Sequence, residues 1–293
     1  MDKFPCDLIP LKIRAPLGGV DRNLLNEIRL RAGRAVKISY GGGNYYLGAR
    51  GLSPVKDNPV TVTAEELGEL VLDFCERSVY AYADKLQCGF VTLKNGVRVG
   101  ICGECVTDGE KITGVKNVSS VNVRIPHAVK GCSEPVLSKY VRGVENTLIV
   151  SPPGAGKTTM ARDLAESISE RFSKNVLVCD ERNEIFPLMS AADSIDCIRY
   201  GGKKYAFENG IRAMAPDVIV TDEIVGKEDA LAIYRASRCG VKVIATAHGE
   251  SVEDFTEREE FSALRGVFGV YVLLDDSRGK GTIKRIAGAE YDA

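Results

Sequence analysis

Residues 148–160 read Leu-Ile-Val-Ser-Pro-Pro-Gly-Ala-Gly-Lys-Thr-Thr-Met, and these types in this order suit the holding of a phosphate chain. Thr147 to Val150 has the character of a buried strand. It breaks into a Gly/Pro-rich loop that ends in Gly156-Lys157-Thr158, and a helix-compatible run follows from Met160 to Ile168. Backbone N–H groups of such a loop, with the positive N-terminus of the next helix, form a site for an anion. Lys157 brings a point charge to the β- and γ-phosphates, and the Thr158 hydroxyl suits Mg²⁺. Ser151, Pro152, Pro153, Gly154, Ala155, Gly156, Lys157, Thr158 and Thr159 are therefore the expected nucleotide-binding residues. Ser151 stands where the motif G-x-x-x-x-G-K-[ST] opens with Gly, and it is small enough to fit. Gly154 and Gly156 remain where the backbone must come close to the phosphates.

Further acidic and polar residues fall at strand ends. Asp217-Val-Ile-Val-Thr-Asp222-Glu223 reads as a buried strand with two carboxylates at its C-terminal end, the end at which doubly wound sheets bind ligands. Asp222 is expected to hold Mg²⁺ through water, and Glu223 to polarise the water that attacks the γ-phosphate. Val241-Lys-Val-Ile-Ala-Thr246-Ala-His248 ends a strand with Thr246 and His248 on one face. A neutral His or a Thr hydroxyl there reports whether a γ-phosphate is present; the plainer reading is a surface His. Cys179-Asp180-Glu181-Arg182-Asn183-Glu184 is an acidic box suited to supporting Mg²⁺ or the attacking water, with Glu181 as its catalytic candidate. The plainer reading there is a helix N-terminus stocked with acids.

The elements that must carry these residues change character along the chain. Up to about residue 130 the pattern is irregular and strand-rich, reading as a smaller α+β domain over 1–130. A short helix is expected over Asn23 to Leu30, and a hairpin around Gly41-Gly42-Gly43-Asn44. Thr63-Ala-Glu-Glu66 is a capping box opening an amphipathic helix through about Arg77. Lys94-Asn95-Gly96 joins two strands with the strongest short turn signal, Asp108-Gly109 marks a second hairpin, and Val121 to Ile125 reads as a further strand. From 131 to 293, strands at 147–150, 176–180, 218–222, 241–246 and 270–274 alternate with helices centred on 161–169, 206–214 and 228–238. That alternation makes an α/β fold with a mainly parallel, doubly wound sheet.

The 293 residues carry 39 basic and 40 acidic side chains, so no polyanion-wrapping surface is expected and nucleic acid is not an expected partner. The chain begins Met1-Asp2-Lys3-Phe4-Pro5-Cys6 without the regions of a signal peptide. No run approaches the ~18 apolar residues of a membrane span. The nine Cys are odd in number and scattered, which points to reduced thiols in a cytosolic protein. Cys102-Gly-Glu-Cys105 has the spacing of half a zinc site that Cys88 and Cys132 could complete. Without a second CxxC, the expectation is small hydrophobes.

With these stretches in place, the chain resembles the stage III sporulation protein AA family, a branch of the secretion-type P-loop ATPases that includes type II and type IV secretion and pilus motors. The residues that carry the resemblance are Asn146 to Thr159, Cys179-Asp-Glu-Arg-Asn-Glu-Ile185, Ile211-Arg-Ala-Met-Ala-Pro-Asp-Val-Ile-Val-Thr-Asp-Glu-Ile224 and Ala245-Thr-Ala-His-Gly249. In the N-terminal half, Gly89 to Leu93, Gly96 to Gly100 and Ser120 to Ile125 are similar as well. The resemblance implies a RecA-like P-loop sheet domain, ATP and Mg²⁺ as cofactors, and a hexameric ATPase. It further implies a cytoplasmic place in the mother cell of an endospore-forming bacterium, docked on the subunits of a membrane channel that leads to the forespore. The family's acidic box matches Asp180/Glu181 and its His box matches Thr246/His248. Its in-trans arginines would correspond to Arg98, Arg124 or Arg212, and the N-terminal domain would serve assembly and docking.

Two other functions fit the same loop. One is a nucleotide-controlled scaffold that scarcely hydrolyses ATP, against which the Asp222-Glu223 pair argues. The other is a hexameric nucleic-acid motor, against which the near-neutral charge and the lack of a basic stretch with interleaved aromatics argue.

Overall fold

The computed structural model describes residues 8–288 except 79–81, 83–85, 88, 94–95, 110 and 190–192. The chain divides into two compact units, Met1–His127 and Ala128–Ala293.

The first unit is built on a seven-stranded antiparallel sheet of order β4-β3-β2-β1-β7-β6-β5. Its strands are β1 (Leu25–Arg31), β2 (Lys37–Tyr40), β3 (Gly43–Gly48), β4 (Gly51–Ser53), β5 (Phe90–Thr92), β6 (Arg98–Asp108) and β7 (Lys111–Arg124). The helix expected over Asn23 to Leu30 is instead β1. Its pairing with β2 slips between Leu25 and Glu27, so an extra residue separates the buried Leu25 and Ile28. That bulge gives an extended chain the three-residue apolar spacing of a helix. The expected hairpins between β2 and β3 and between β6 and β7 are present. β5 pairs with β6, although Lys94 and Asn95 of that turn lie outside the described residues. Helix α1 (Ala64–Phe74) opens with both halves of the Thr63/Glu66 capping box and buries Leu67, Leu70 and Phe74. It stops short of Arg77 because Glu76 and Arg77 turn left-handed, at φ 51° and 56°.

β6 and β7 run on as a two-stranded arm. From Cys102 to Asp108 every residue of β6 is exposed, so Cys102 and Cys105 are exposed free thiols rather than core hydrophobes. Cys132 belongs to the second unit, and Cys88 lies outside the described residues.

The second unit carries a seven-stranded sheet of order β10-β9-β11-β12-β8-β13-β14. The strands are β8 (Thr147–Ser151), β9 (Val176–Asp180), β10 (Ile195–Arg199), β11 (Val218–Glu223), β12 (Lys242–His248), β13 (Val270–Asp275) and β14 (Thr282–Gly288). All neighbours are parallel except β14, which returns antiparallel on β13. Edge strands β10 and β14 were not expected: their half-exposed, polar-interrupted residues lack the apolar run of the central strands. Helix α2 (Lys157–Phe172) covers one face, packing Met160, Ala161 and Leu164 with Ile149, Val178, Val220 and Ile244. Helices α3 (Lys203–Met214) and α4 (Lys227–Arg238) cover the other, packing Phe207 and Ile233 with Leu177, Ile219 and Val243. Parallel order brings the C-terminal ends of β8, β9, β11 and β12 to one edge, and that edge carries Ser151, Asp180, Glu223 and His248.

Candidate functional site

The loop between β8 and α2 takes the conformation its glycines permit. Gly154 has φ 78° and Gly156 φ 102°, both in the left-handed region. A Cβ on Gly156 would sit 3.1 Å from the backbone of Gly281, whose N–H donates to the Ala155 carbonyl at 2.9 Å. The β13–β14 turn is thus clasped against the phosphate loop, a contact no local pattern announces. No side chain caps the first turn of α2, which leaves those N–H groups free for an anion.

Lys157 is 8% exposed. Its ammonium donates to the Ser151 carbonyl at 2.9 Å and the Pro152 carbonyl at 3.2 Å, and stands 3.0 Å from His248 Nδ1. Burial lowers its pKa to about 8. Because an ammonium can only donate, Nδ1 of His248 accepts and the ring proton resides on Nε2. Nε2 lies 3.2 Å from Glu223 Oε2, and Arg182 Nη1 approaches the same oxygen at 3.3 Å. The phosphate-loop lysine is therefore linked through one imidazole to a strand-end carboxylate. A cavity of about 190 Å³ opens beside Glu223 and His248.

Asp222, expected at the metal, faces away from Glu223. β11 and β12 pair Val220 with Ile244 and then Glu223 with Thr246, so β11 carries one extra residue at Thr221-Asp222. That bulge restores Glu223 to the face of Ile244, Thr246 and α2. It turns Asp222 toward α3 and α4, where Oδ1 meets Lys203 Nζ at 2.9 Å. Burial raises the pKa of Asp222 while the Lys203 charge opposes the rise. Lys203 is 5% exposed and also meets Glu181 at 3.1 Å and Asp229 at 3.6 Å. The sequence reading passed over Lys203. Its signal was a lysine heading the buried stripe Lys203, Ala206, Phe207, Gly210, at a helix N-terminus, where a cation is disfavoured unless acids surround it.

The acidic box splits likewise. Asp180 is fully buried and accepts the N–H groups of Glu184, Ile185 and Phe186 at 2.8–3.0 Å, so it shapes the loop after β9. Arg162 from α2 holds the same loop through the carbonyls of Glu184 and Ile185. Glu181 is exposed and turned to Lys203. Thr158, Thr159 and Pro152 are half-buried, Pro153 is exposed and Ser151 is buried. Arg98 and Arg124 are cross-strand partners on β6 and β7 of the first unit. Arg98 stacks over the Phe90 ring at 3.7 Å, and Arg124 pairs with Glu27 at 3.7 Å. Arg212 is exposed in the last turn of α3, ~13 Å along the axis from Lys203 at the usual helical rise.

A six-strand parallel run, a phosphate loop before α2 and acidic and His residues at neighbouring strand ends define a RecA-like P-loop fold of the kind found in secretion ATPases. The ATPase DotB of Yersinia pseudotuberculosis superposes with a TM-score of 0.60, over 92% of this chain and 76% of that one, at 15% identity. The pilus retraction motor PilT, solved with bound ADP, superposes with a TM-score of 0.62, over 85% and 74% of the chains, at 16% identity. The chain belongs to the family described as Sporulation stage III, protein AA, whose model matches residues 7–290. Stage III sporulation protein AA of Bacillus subtilis is 33% identical over 276 residues, which is 89% of this chain and 86% of that protein. Among the described residues no helix is long and apolar enough to cross a membrane.

Proposed function

We propose that this chain is an assembly-dependent ATPase that works as a motor on a membrane channel between mother cell and forespore during sporulation. The observation that carries the reading is the contact chain from Lys157 through His248 to Glu223. It joins the group that grips phosphate to the group that would activate water, and it does so beside an uncapped helix N-terminus.

The residues fit ATP with Mg²⁺. When bound, the metal would neutralise charge on the phosphates, with the Thr158 hydroxyl and the Glu223 carboxylate as the groups disposed to hold it. Lys157 leaves the Ser151 and Pro152 carbonyls and turns to the phosphates. That frees His248 Nδ1 and lets the imidazole report phosphate occupancy to Glu223. Glu223 then accepts the proton of the attacking water, a role worth roughly 10²–10⁴-fold in rate. Glu181 supports the arrangement through Lys203. Arg98, Arg124 and Arg212 are the arginines offered to a neighbouring subunit's site in a hexamer, where such a finger contributes ~10³–10⁵ in rate. Family membership supports the sporulation setting, and a cytoplasmic, channel-bound location is part of the same proposal. The first unit would provide assembly and docking.

ATP turnover per protomer, measured across a protein concentration series with Glu223→Gln as background, tests the reading. Turnover that climbs with concentration supports a site shared between subunits. Flat, background-level turnover despite ATP binding would favour a nucleotide-controlled scaffold.

A further inference from the structure

Lys203 enters the steps above only as the partner of Glu181, yet its side chain is 4% exposed. It reaches the loop after β9 at Glu181, the end of β11 at Asp222 and the first turn of α4 at Asp229. Asp222 is 9% exposed, and neither of its oxygens receives a well-directed hydrogen bond. A carboxylate so placed is tolerated only beside a cation. Asp229 is anchored independently by the Val225 N–H at 2.8 Å, whereas Asp222 depends on Lys203. Gly210 fixes where Lys203 can be: a Cβ there would lie 2.4 Å from Leu177 Cδ2, so α3 sits close on β9 and carries its first residue into the carboxylates.

Resting on the nucleotide reading, we propose that Lys203 is the built-in cation of Asp222, a positioning residue. It holds Asp222 on the α3/α4 face, keeps the Thr221-Asp222 bulge formed and so leaves Glu223 as the strand-end carboxylate presented to the nucleotide's metal and to water. Held by the Lys203 charge on that face, Asp222 takes no part in holding Mg²⁺. Removing the lysine strands a buried negative charge, and the strand relieves it by slipping out of the bulge, which mis-aims Glu223.

Two measurements on the full chain test this. The first is thermal unfolding without nucleotide for Lys203→Met, Asp222→Asn and the double variant. Lys203→Met should lower the midpoint by roughly 10 °C, and adding Asp222→Asn should recover most of the loss; a double variant no more stable than the sum of the single effects overturns the proposal. The second is the Mg²⁺ dependence of binding of a fluorescent ATP analogue. Asp222→Asn should keep the wild-type Mg²⁺ midpoint within about threefold, a shift well below one decade. A tenfold or greater rise would make Asp222 a metal-holding residue and overturn the assignment. If the wild-type chain binds no nucleotide, the function proposed above fails, and the unfolding cycle alone decides the role of Lys203.

Discussion

Asp222 and Glu223 are consecutive in the chain, yet their carboxylates lie on opposite faces of one sheet. Asp222 Oδ1 is 2.9 Å from Lys203 Nζ under α3, while Glu223 Oε2 is 3.2 Å from His248 Nε2 beside the phosphate loop. Strand alternation alone would have put Asp222 on the α2 face, where Val218 and Val220 point. One inserted residue exchanges the faces that the two acids occupy.

Glu223→Gln should bind ATP at near wild-type affinity and turn it over roughly 10²–10⁴-fold more slowly. Binding by equilibrium fluorescence and phosphate release on the same preparation separate the effects. Unaltered turnover would remove Glu223 from the chemistry.

Lys157→Ala should weaken ATP binding by ~10- to 100-fold, the loss expected for a charge-assisted contact of about 1.5–3 kcal/mol. The uncharged variant also removes a buried ammonium, so its thermal midpoint should not fall in parallel. ATP affinity equal to wild type would exclude the loop as the phosphate site.

ATP affinity should depend on pH through Lys157, whose pKa is lowered to about 8 by burial. Below pH 8 the lysine is already charged and affinity is full. Above pH 8 binding must take up a proton, so affinity should fall by up to tenfold per pH unit until the pKa of the bound form is reached. In the absence of ligand the sign for folding is opposite in sense: the unfolded chain holds this proton more tightly, so the lysine's contribution to stability rises with pH from about 8 toward the ordinary lysine value of 10.5. A flat affinity profile from pH 7 to 9.5 would contradict the first expectation.

His248→Ala should leave ATP binding within a few-fold while breaking the link from Lys157 to Glu223. Discrimination between ATP and ADP, measured by competition, should shrink toward unity. Unchanged discrimination and turnover would return His248 to an ordinary surface residue.

Gly281→Val should loosen the phosphate loop from a distance. Position 281 has φ 85° and a Cβ there meets nothing within 4 Å, so a branched side chain acts through backbone strain, of order 1–3 kcal/mol, in the turn whose N–H holds the Ala155 carbonyl. ATP affinity should fall although no predicted binding residue is altered. Wild-type affinity would show that the clasp has no part in holding the loop.

The sequence by itself determined the strand–loop–helix order around Gly156-Lys157-Thr158 and most of the second unit's core. Uninterrupted apolar runs such as Leu148-Ile149-Val150 and Val218-Ile219-Val220 can only be buried strands of a parallel sheet, and Gly-Lys-Thr before a helix has few other uses. These are local properties, readable from neighbours in the chain. What only the tertiary structure decided depends on a partner strand or a packed helix. In β1 a bulge against β2 disguised a strand as a helix, and in β11 a bulge against β12 reversed the two acids. Lys203 acquired its three carboxylates only because α3 lies close on β9, and Gly281 met the phosphate loop only because β14 returns beside β13. A bulge is a mismatch between two strands, and an ion-pair cluster joins elements far apart in the chain. Neither has a local signature, so each comes into being only when the sheet is assembled.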